Sequence, residues 1–221
     1  MQCYGNNKNA YQINVDVNIT SGGYTVTNTK PIDFSYATSP YKNYKEDDGA
    51  KALLEKYYDD YAFGYEVLGY NSTWRSPAVL MQKLADLYLA AGLEKWGSSY
   101  NIVLGGGYMS CRGSGLQVGS VTYADIDDLF PFDNDIQLCS VRGSNFRNTK
   151  YIKGDSKYYL AWTEYGEEVR YDIDNYTTYY IVTDKYGSDY KYNYLTVVDT
   201  YRPNYYARDL LAQYIREGNF A

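Results

Sequence analysis

Apolar and polar residues alternate strictly from Ile13 to Ile19 (Ile-Asn-Val-Asp-Val-Asn-Ile), the period of a strand with one buried face. Ser21-Gly22-Gly23 supplies turn chemistry and Tyr24-Thr25-Val26-Thr27 resumes the extended pattern, which predicts a β-hairpin over 12–28. Residues 30–48 are polar, with Pro31, Pro40 and the run Lys45-Glu46-Asp47-Asp48, and read as a loop or linker. The period then becomes helical over Gly49–Tyr61, where Ala52, Leu53, Tyr57 and Tyr61 recur on one side. A second helix has sharper signals. Ser76 stands at its N-cap and Pro77 at its first position; Val79, Leu80, Leu84, Leu87 and Leu89 follow, and Gly92 to Gly97 end it.

Further along, Tyr100–Leu104 reads as a short buried strand running into Gly105-Gly106-Gly107. Thr122-Tyr123-Ala124-Asp125 has the form of a capping box opening a brief helix to Phe130, which Pro131 stops. Asp135–Val141 is expected as a strand and Gly143–Lys150 as a short helix. Residues 157–198 are expected to be mostly β, in runs such as Lys157–Trp162 and Thr177–Thr183, with a turn at Asp172–Asn175 and a final buried strand at Tyr194–Val198. A closing helix is predicted from about Pro203 to Arg216, with Leu210, Leu211, Tyr214 and Ile215 inward and Gly218 after its end.

Composition narrows the chemistry. The 221 residues include 31 Tyr and no His, and 27 acidic against 21 basic residues leave a net charge of −6. Without His, imidazole-dependent general-base mechanisms and the commonest catalytic zinc sites are excluded. A net acidic chain is a poor match for a nucleic-acid polymer, which needs a basic face. Cys3, Cys111 and Cys139 are odd in number and form no CxxC pair. A Cys111–Cys139 disulfide is open on sequence, and free buried thiols are the commoner state. No apolar window is long enough to span a membrane, and the N-terminus lacks a basic segment followed by an apolar one, so no signal peptide is read in this chain. The acidic residues Asp125, Asp127, Asp128, Asp133 and Asp135 do not follow the spacing of an EF-hand loop and are read as a solvated face.

The stretch that carries chemistry runs from Leu104 to Asn134. A strand enters three glycines, where backbone can approach a ligand closely, and Arg112 follows soon after. After the capped helix, Pro131 makes a rigid corner presenting Phe132 and, two residues on, Asn134. An aromatic ring with an amide beside it suits a heteroaromatic base, held by stacking and by edge hydrogen bonds. Taken singly, a Gly triplet is usually a turn, a Phe after Pro usually core and an Arg usually solvated; their order together is what points to a ligand.

That order resembles the C-terminal, substrate-binding domain of the 5′-nucleotidase family, which includes UDP-sugar hydrolases and 2′,3′-cyclic-nucleotide phosphodiesterases. Gly105 to Arg112 resembles the family's [SN]-x-G-G-[IV]-R with two extra residues before Arg. Gly119-Ser120-Val121-Thr122-Tyr123-Ala124-Asp125-Ile126 is similar to G-x-[IL]-[TS]-Y-x-D-[VI], Pro131-Phe132-Asp133-Asn134 to P-F-x-N, and Val141-Arg142-Gly143 to a strand ending in [TR]-G. The resemblance implies an α/β (α+β) fold, a layered α/β/β/α sandwich over 49–221, with residues 1–48 as a β remnant of a preceding metallophosphatase domain plus linker. It implies that Arg112 holds phosphate, that Phe132 stacks on the base and Asn134 bonds its edge, and that Gly106 and Gly107 line the substrate. It also implies a second stacking ring after the last strand, for which Tyr201 is the candidate, although the family's Gly-Gly-Asp-Gly element is absent after it.

The family's two divalent metals belong to its N-terminal domain, held by D-x-H, G-N-H-[DE] and G-H-x-H motifs that a chain without His does not contain. No catalytic residue, metal ligand or cofactor is therefore assigned in this chain. The expected partners are a nucleoside or nucleotide and the missing metallophosphatase domain. The resemblance implies an extracellular or cell-surface bacterial protein. Two other readings stand beside it: a Tyr-rich carbohydrate-binding or adhesion module of an exported protein, and a fold serving only as a dimerisation unit. Ligand preference and light scattering, respectively, separate them from the first.

Overall fold

The computed structural model describes residues 11–33, 48–57, 59–148, 156–191 and 194–220. Cys3, most of the expected linker and the last residues of the expected 143–150 helix lie outside these. The chain divides into two units, 1–59 and 60–221, so the first helix groups with the hairpin, where the sequence reading set a boundary at 48/49.

In the first unit, β1 (Tyr11–Thr20) pairs antiparallel with β2 (Gly23–Asp33) across Ser21-Gly22, and a register shift interrupts the ladder between Asp16 and Val17. Gly23 takes φ +140°, a conformation open to glycine. Val17, Ile19 and Val26 are exposed. Helix α1 (Asp48–Tyr57) carries Asp48 in its first turn and Lys56 in its last, both complementary to its dipole.

A 3-10 segment (Asp59–Tyr65) begins at the boundary, and the second unit continues with β3 (Val67–Asn71), α2 (Pro77–Trp96), β4 (Ile102–Tyr108), β5 (Gly119–Thr122) and α3 (Tyr123–Leu129). Then come β6 (Ile136–Arg142), α4 (Gly143–Arg147), β7 (Tyr158–Trp162), α5 (Glu164–Tyr171), β8 (Thr178–Asp184), β9 (Thr196–Thr200) and α6 (Ala207–Arg216). Strands β7-β4-β8-β6-β9 form one mixed sheet and β3-β5 a separate two-stranded ladder. The fold class expected from the sequence, mixed α/β with layered sheets and helices, is the one observed.

The central strands β4, β8 and β6 of the main sheet are buried on both faces, as strands covered by helices on either side are. Along β6, Ile136 and Leu138 join the core of α2, α3 and α6 around Leu84, Tyr88, Ile126 and Leu211. Cys139 and Val141 point oppositely, to the core that Phe146 of α4 and Val169 of α5 share. The cap signals are realised: the Ser76 hydroxyl accepts from the Val79 N–H, and Thr122 and Asp125 form the reciprocal capping box.

Three expectations are corrected. The glycine triplet does not follow the strand; it lies within it, with Gly105, Gly106 and Gly107 paired to Ala161, Leu160 and Tyr159 of β7. Residues 164–171 form α5, capped by Thr163, where strand had been expected; a tyrosine- and charge-rich sequence hid a helix that packs through Gly166 and Val169. The last strand is not buried: β9 is an edge strand in which Val197 and Val198 are exposed.

Candidate functional site

Strands β4 and β8 are parallel neighbours, with Leu104 beside Ile181 and Gly105 beside Val182, so their carboxyl ends lie side by side. β6 runs the other way and starts at that edge, Ile136 opposite Asp184, with the Lys185 N–H donating to the Asp135 carbonyl at 2.8 Å. Crevices beyond the carboxyl ends of parallel strands are where α/β sheets bind ligands. A cavity of about 460 Å³ opens here. Tyr108 to Arg112 line it from the segment leaving β4, Phe132 and Asn134 from the turn entering β6, and Tyr186 from the turn leaving β8.

Each wall has a local cause. The Met109 N–H donates to the Lys157 carbonyl at 2.8 Å and the Arg112 N–H to the Leu129 carbonyl at 2.8 Å, which ties the segment after β4 to its neighbours. The Asn134 N–H turns back to the Phe132 carbonyl at 2.9 Å, making a tight corner after Pro131. Asp133, between the two, is gripped by Arg208 from the first turn of α6. The same guanidinium reaches Asp127 at 3.2 Å and the Tyr123 hydroxyl at 3.2 Å, and lies over the Tyr206 ring. Burial works against the Arg208 charge, and the bonds to Asp133 and Tyr123 outweigh it, so its pKa is raised. Two of the acidic residues read as a solvated face therefore serve to hold the Phe132 turn.

Inside the cavity Phe132 is 44% exposed, and the Arg112 guanidinium lies over its ring at 5.1 Å from the centroid. Among the described residues no carboxylate lies within 4.0 Å of Arg112, and no protein group hydrogen-bonds the Asn134 side-chain amide. A ring, a cation and an amide thus converge with hydrogen-bonding capacity unspent. Cys111 is a free, half-buried thiol whose pKa burial pushes up to about 11, so it is neutral and unreactive at pH 7. Cys139 is free as well, pushed to about 12 chiefly by burial, so the two cysteines form no disulfide.

Of the residues singled out in the sequence, Arg112, Phe132 and Asn134 come together. Gly106 and Gly107 do not line the cavity; they are buried within β4, where a Cβ on Gly106 would stand 2.6 Å from the Tyr159 carbonyl oxygen. The small size of Gly106 serves the close approach of β7. Tyr201 follows β9 at the same sheet edge, its N–H on the Ile136 carbonyl at 2.8 Å, but its side chain is buried. It packs on Trp96 at 6.0 Å and on Tyr205 at 5.9 Å, its hydroxyl reaching Glu94, and borders a different hollow beside α2 and α6. Lys95 fixes this by donating to the Tyr201 carbonyl at 2.7 Å. The aromatics that do share the cavity with Phe132 are Tyr108, at the end of β4, and Tyr186, which the sequence reading passed over. The one signal for Tyr186 was position, directly after an apolar strand parallel to β4.

The site's donor set does not suit the two-metal centre of the resembled family. Among the described residues no three Cys, Asp, Glu or His side chains gather to hold a metal ion, and the sequence contains no His. No metal-dependent step is derived from this chain. Among the described residues no helix is long and apolar enough to cross a membrane.

No protein-family model matches the sequence, and no curated protein matches it. Solved structures do. The 5′-nucleotidase precursor from Thermus thermophilus is 14% identical with a TM-score of 0.55, the match covering 95% of this chain and 46% of that one. A 5′-nucleotidase described as putative, from Staphylococcus aureus, is 13% identical, TM-score 0.55, covering 93% of this chain and 47% of that one. The chain spans about half the length of these structures. At such identity the likeness is one of fold, and the fold is that of the 5′-nucleotidase C-terminal domain.

Proposed function

From the fold of a 5′-nucleotidase C-terminal domain, we propose that this chain recognises a nucleoside or nucleotide in the cavity at the carboxyl edge of β4 and β8, as the substrate-binding part of a metal-dependent nucleotide phosphohydrolase. The observation that carries the proposal is the convergence of an exposed Phe132 ring, the Asn134 amide and the Arg112 guanidinium in one cavity of about 460 Å³, a size that suits a mononucleotide. Phe132 offers a stacking face, Asn134 supplies a donor and an acceptor for a base edge, and Arg112 supplies a forked cation for phosphate. Tyr186 takes the place expected of Tyr201 as the second ring bordering the ligand. The hydrolytic step belongs to residues this chain does not have, because the family's metal ligands include His.

Isothermal titration of adenosine, AMP and UMP into wild-type protein and Phe132→Ala tests the reading. Stacking on one aromatic is worth about 1–3 kcal/mol per base, so Phe132→Ala should weaken binding roughly fivefold to a hundredfold. Equal heats for both proteins, or heat with an oligosaccharide and none with nucleosides, would reject it in favour of a carbohydrate module.

A further inference from the structure

Arg112 lies over the ring that the proposed function offers to a base. Its guanidinium is 5.1 Å from the Phe132 centroid, and both residues line the same cavity. The backbone brings it there: the Arg112 N–H is bonded to the Leu129 carbonyl, at the end of the helix that leads into the Phe132 turn. Nothing pulls it away, since among the described residues no carboxylate is within 4.0 Å of it, whereas Arg170, Arg208 and Arg216 are all ion-paired. In the free protein the ring's attraction for the cation is therefore the guanidinium's recognisable contact.

We propose that Arg112 is an internal occupant of the Phe132 face, and that it makes the cavity selective for phosphorylated over unphosphorylated nucleosides. The inference rests on the nucleotide-binding reading above and adds its selectivity. A neutral nucleoside must displace the guanidinium from the ring and offers no equivalent partner in return. A nucleotide offers a phosphate, with which the planar guanidinium forms a bidentate, charge-assisted pair stronger than its contact with an exposed ring. The phosphate thus draws the cation off the face that its own base then covers. Phosphate and base binding are coupled through one side chain.

This coupling gives opposite signs for two ligands in one variant. In Arg112→Ala, adenosine should bind roughly two- to fivefold more tightly, the factor an exposed cation–π contact represents. AMP should bind about tenfold more weakly or worse in the same variant, with Arg112→Lys between the two proteins. In the wild type, inorganic phosphate should tighten adenosine binding, and in Arg112→Ala it should have no such effect. If Arg112→Ala leaves adenosine unchanged or weaker while Phe132→Ala still loses both ligands, the cavity reading stands and the selectivity mechanism is wrong. A competitive effect of phosphate on adenosine also overturns the mechanism. If Phe132→Ala changes neither ligand, the cavity reading fails and this inference fails with it.

Discussion

At the residue scale the cavity is backed by a carboxyl group that no local pattern announces. Asp184, fully buried at the end of β8, accepts from the Tyr88 hydroxyl at 3.1 Å and from the Gly187 N–H at 2.7 Å, holding the turn that carries Tyr186. Burial raises its pKa above the ordinary 3.8, opposed by these bonds and by the Tyr186 N–H. The folded chain therefore keeps a proton that the unfolded chain has released. The associated stability is complete below pH 3.8 and is lost as pH rises from there through the folded pKa. Asp184→Asn retains an acceptor for the backbone N–H groups without the charge. Its melting temperature should thus gain on the wild type as pH is raised from about 3.8 towards neutrality; a constant difference across that range would show that Asp184 does not titrate there. Phe132, Asn134 and Arg112 were legible because each sits in a short local motif. Tyr186 was not, since it enters the site from the turn after a strand far along the chain, and neither was Asp184, which holds that turn.

At the element scale the first glycine of the triplet is decided by the helix behind it. A Cβ on Gly105 would stand 2.4 Å from the backbone nitrogen of Leu89, so α2 can lie against β4 only if that position has no side chain. A Cβ on Gly107 would meet nothing nearer than the Tyr88 ring at 3.4 Å and the Asp184 carboxylate at 3.5 Å. Gly105→Ala should accordingly cost about 1–3 kcal/mol or more in chemical denaturation, as overpacked cores do. Gly107→Ala should stay within about 1 kcal/mol of the wild type. If the two variants are equally destabilised, close helix packing is not why position 105 is glycine. From sequence, three glycines after a strand read equally well as a ligand loop, because what they face is tertiary. Helix boundaries fared better where a cap marked them, as at Ser76 and Thr122. α5 was missed because its charged, Tyr-rich face outweighs the few positions that it buries.

For the whole molecule, the proposed function separates recognition from hydrolysis. The chain should release no phosphate from AMP or from 2′,3′-cyclic AMP when incubated with Mn²⁺ or Mg²⁺, while still binding nucleotide. Metal-dependent phosphate release by the purified 221-residue protein would overturn that division. The prediction stands on the absence of His from the sequence, since a two-metal phosphohydrolase centre of the resembled kind is built with imidazole ligands.

The sequence by itself determined the hairpin, the capped helices, the mixed α/β class and the ring, amide and cation of the Leu104–Asn134 stretch. These rest on periodicity, capping and short motifs, all local interactions. Only the tertiary structure decided that Gly105 makes room for a helix and Gly106 for a neighbouring strand, that Tyr201 turns under Trp96 and Lys95, and that Tyr186 shares the cavity with Phe132. The physical reason is direction. A strand's neighbours fix where its ends emerge, and packing across the sheet fixes which way a side chain points, and neither is written in the residues beside it.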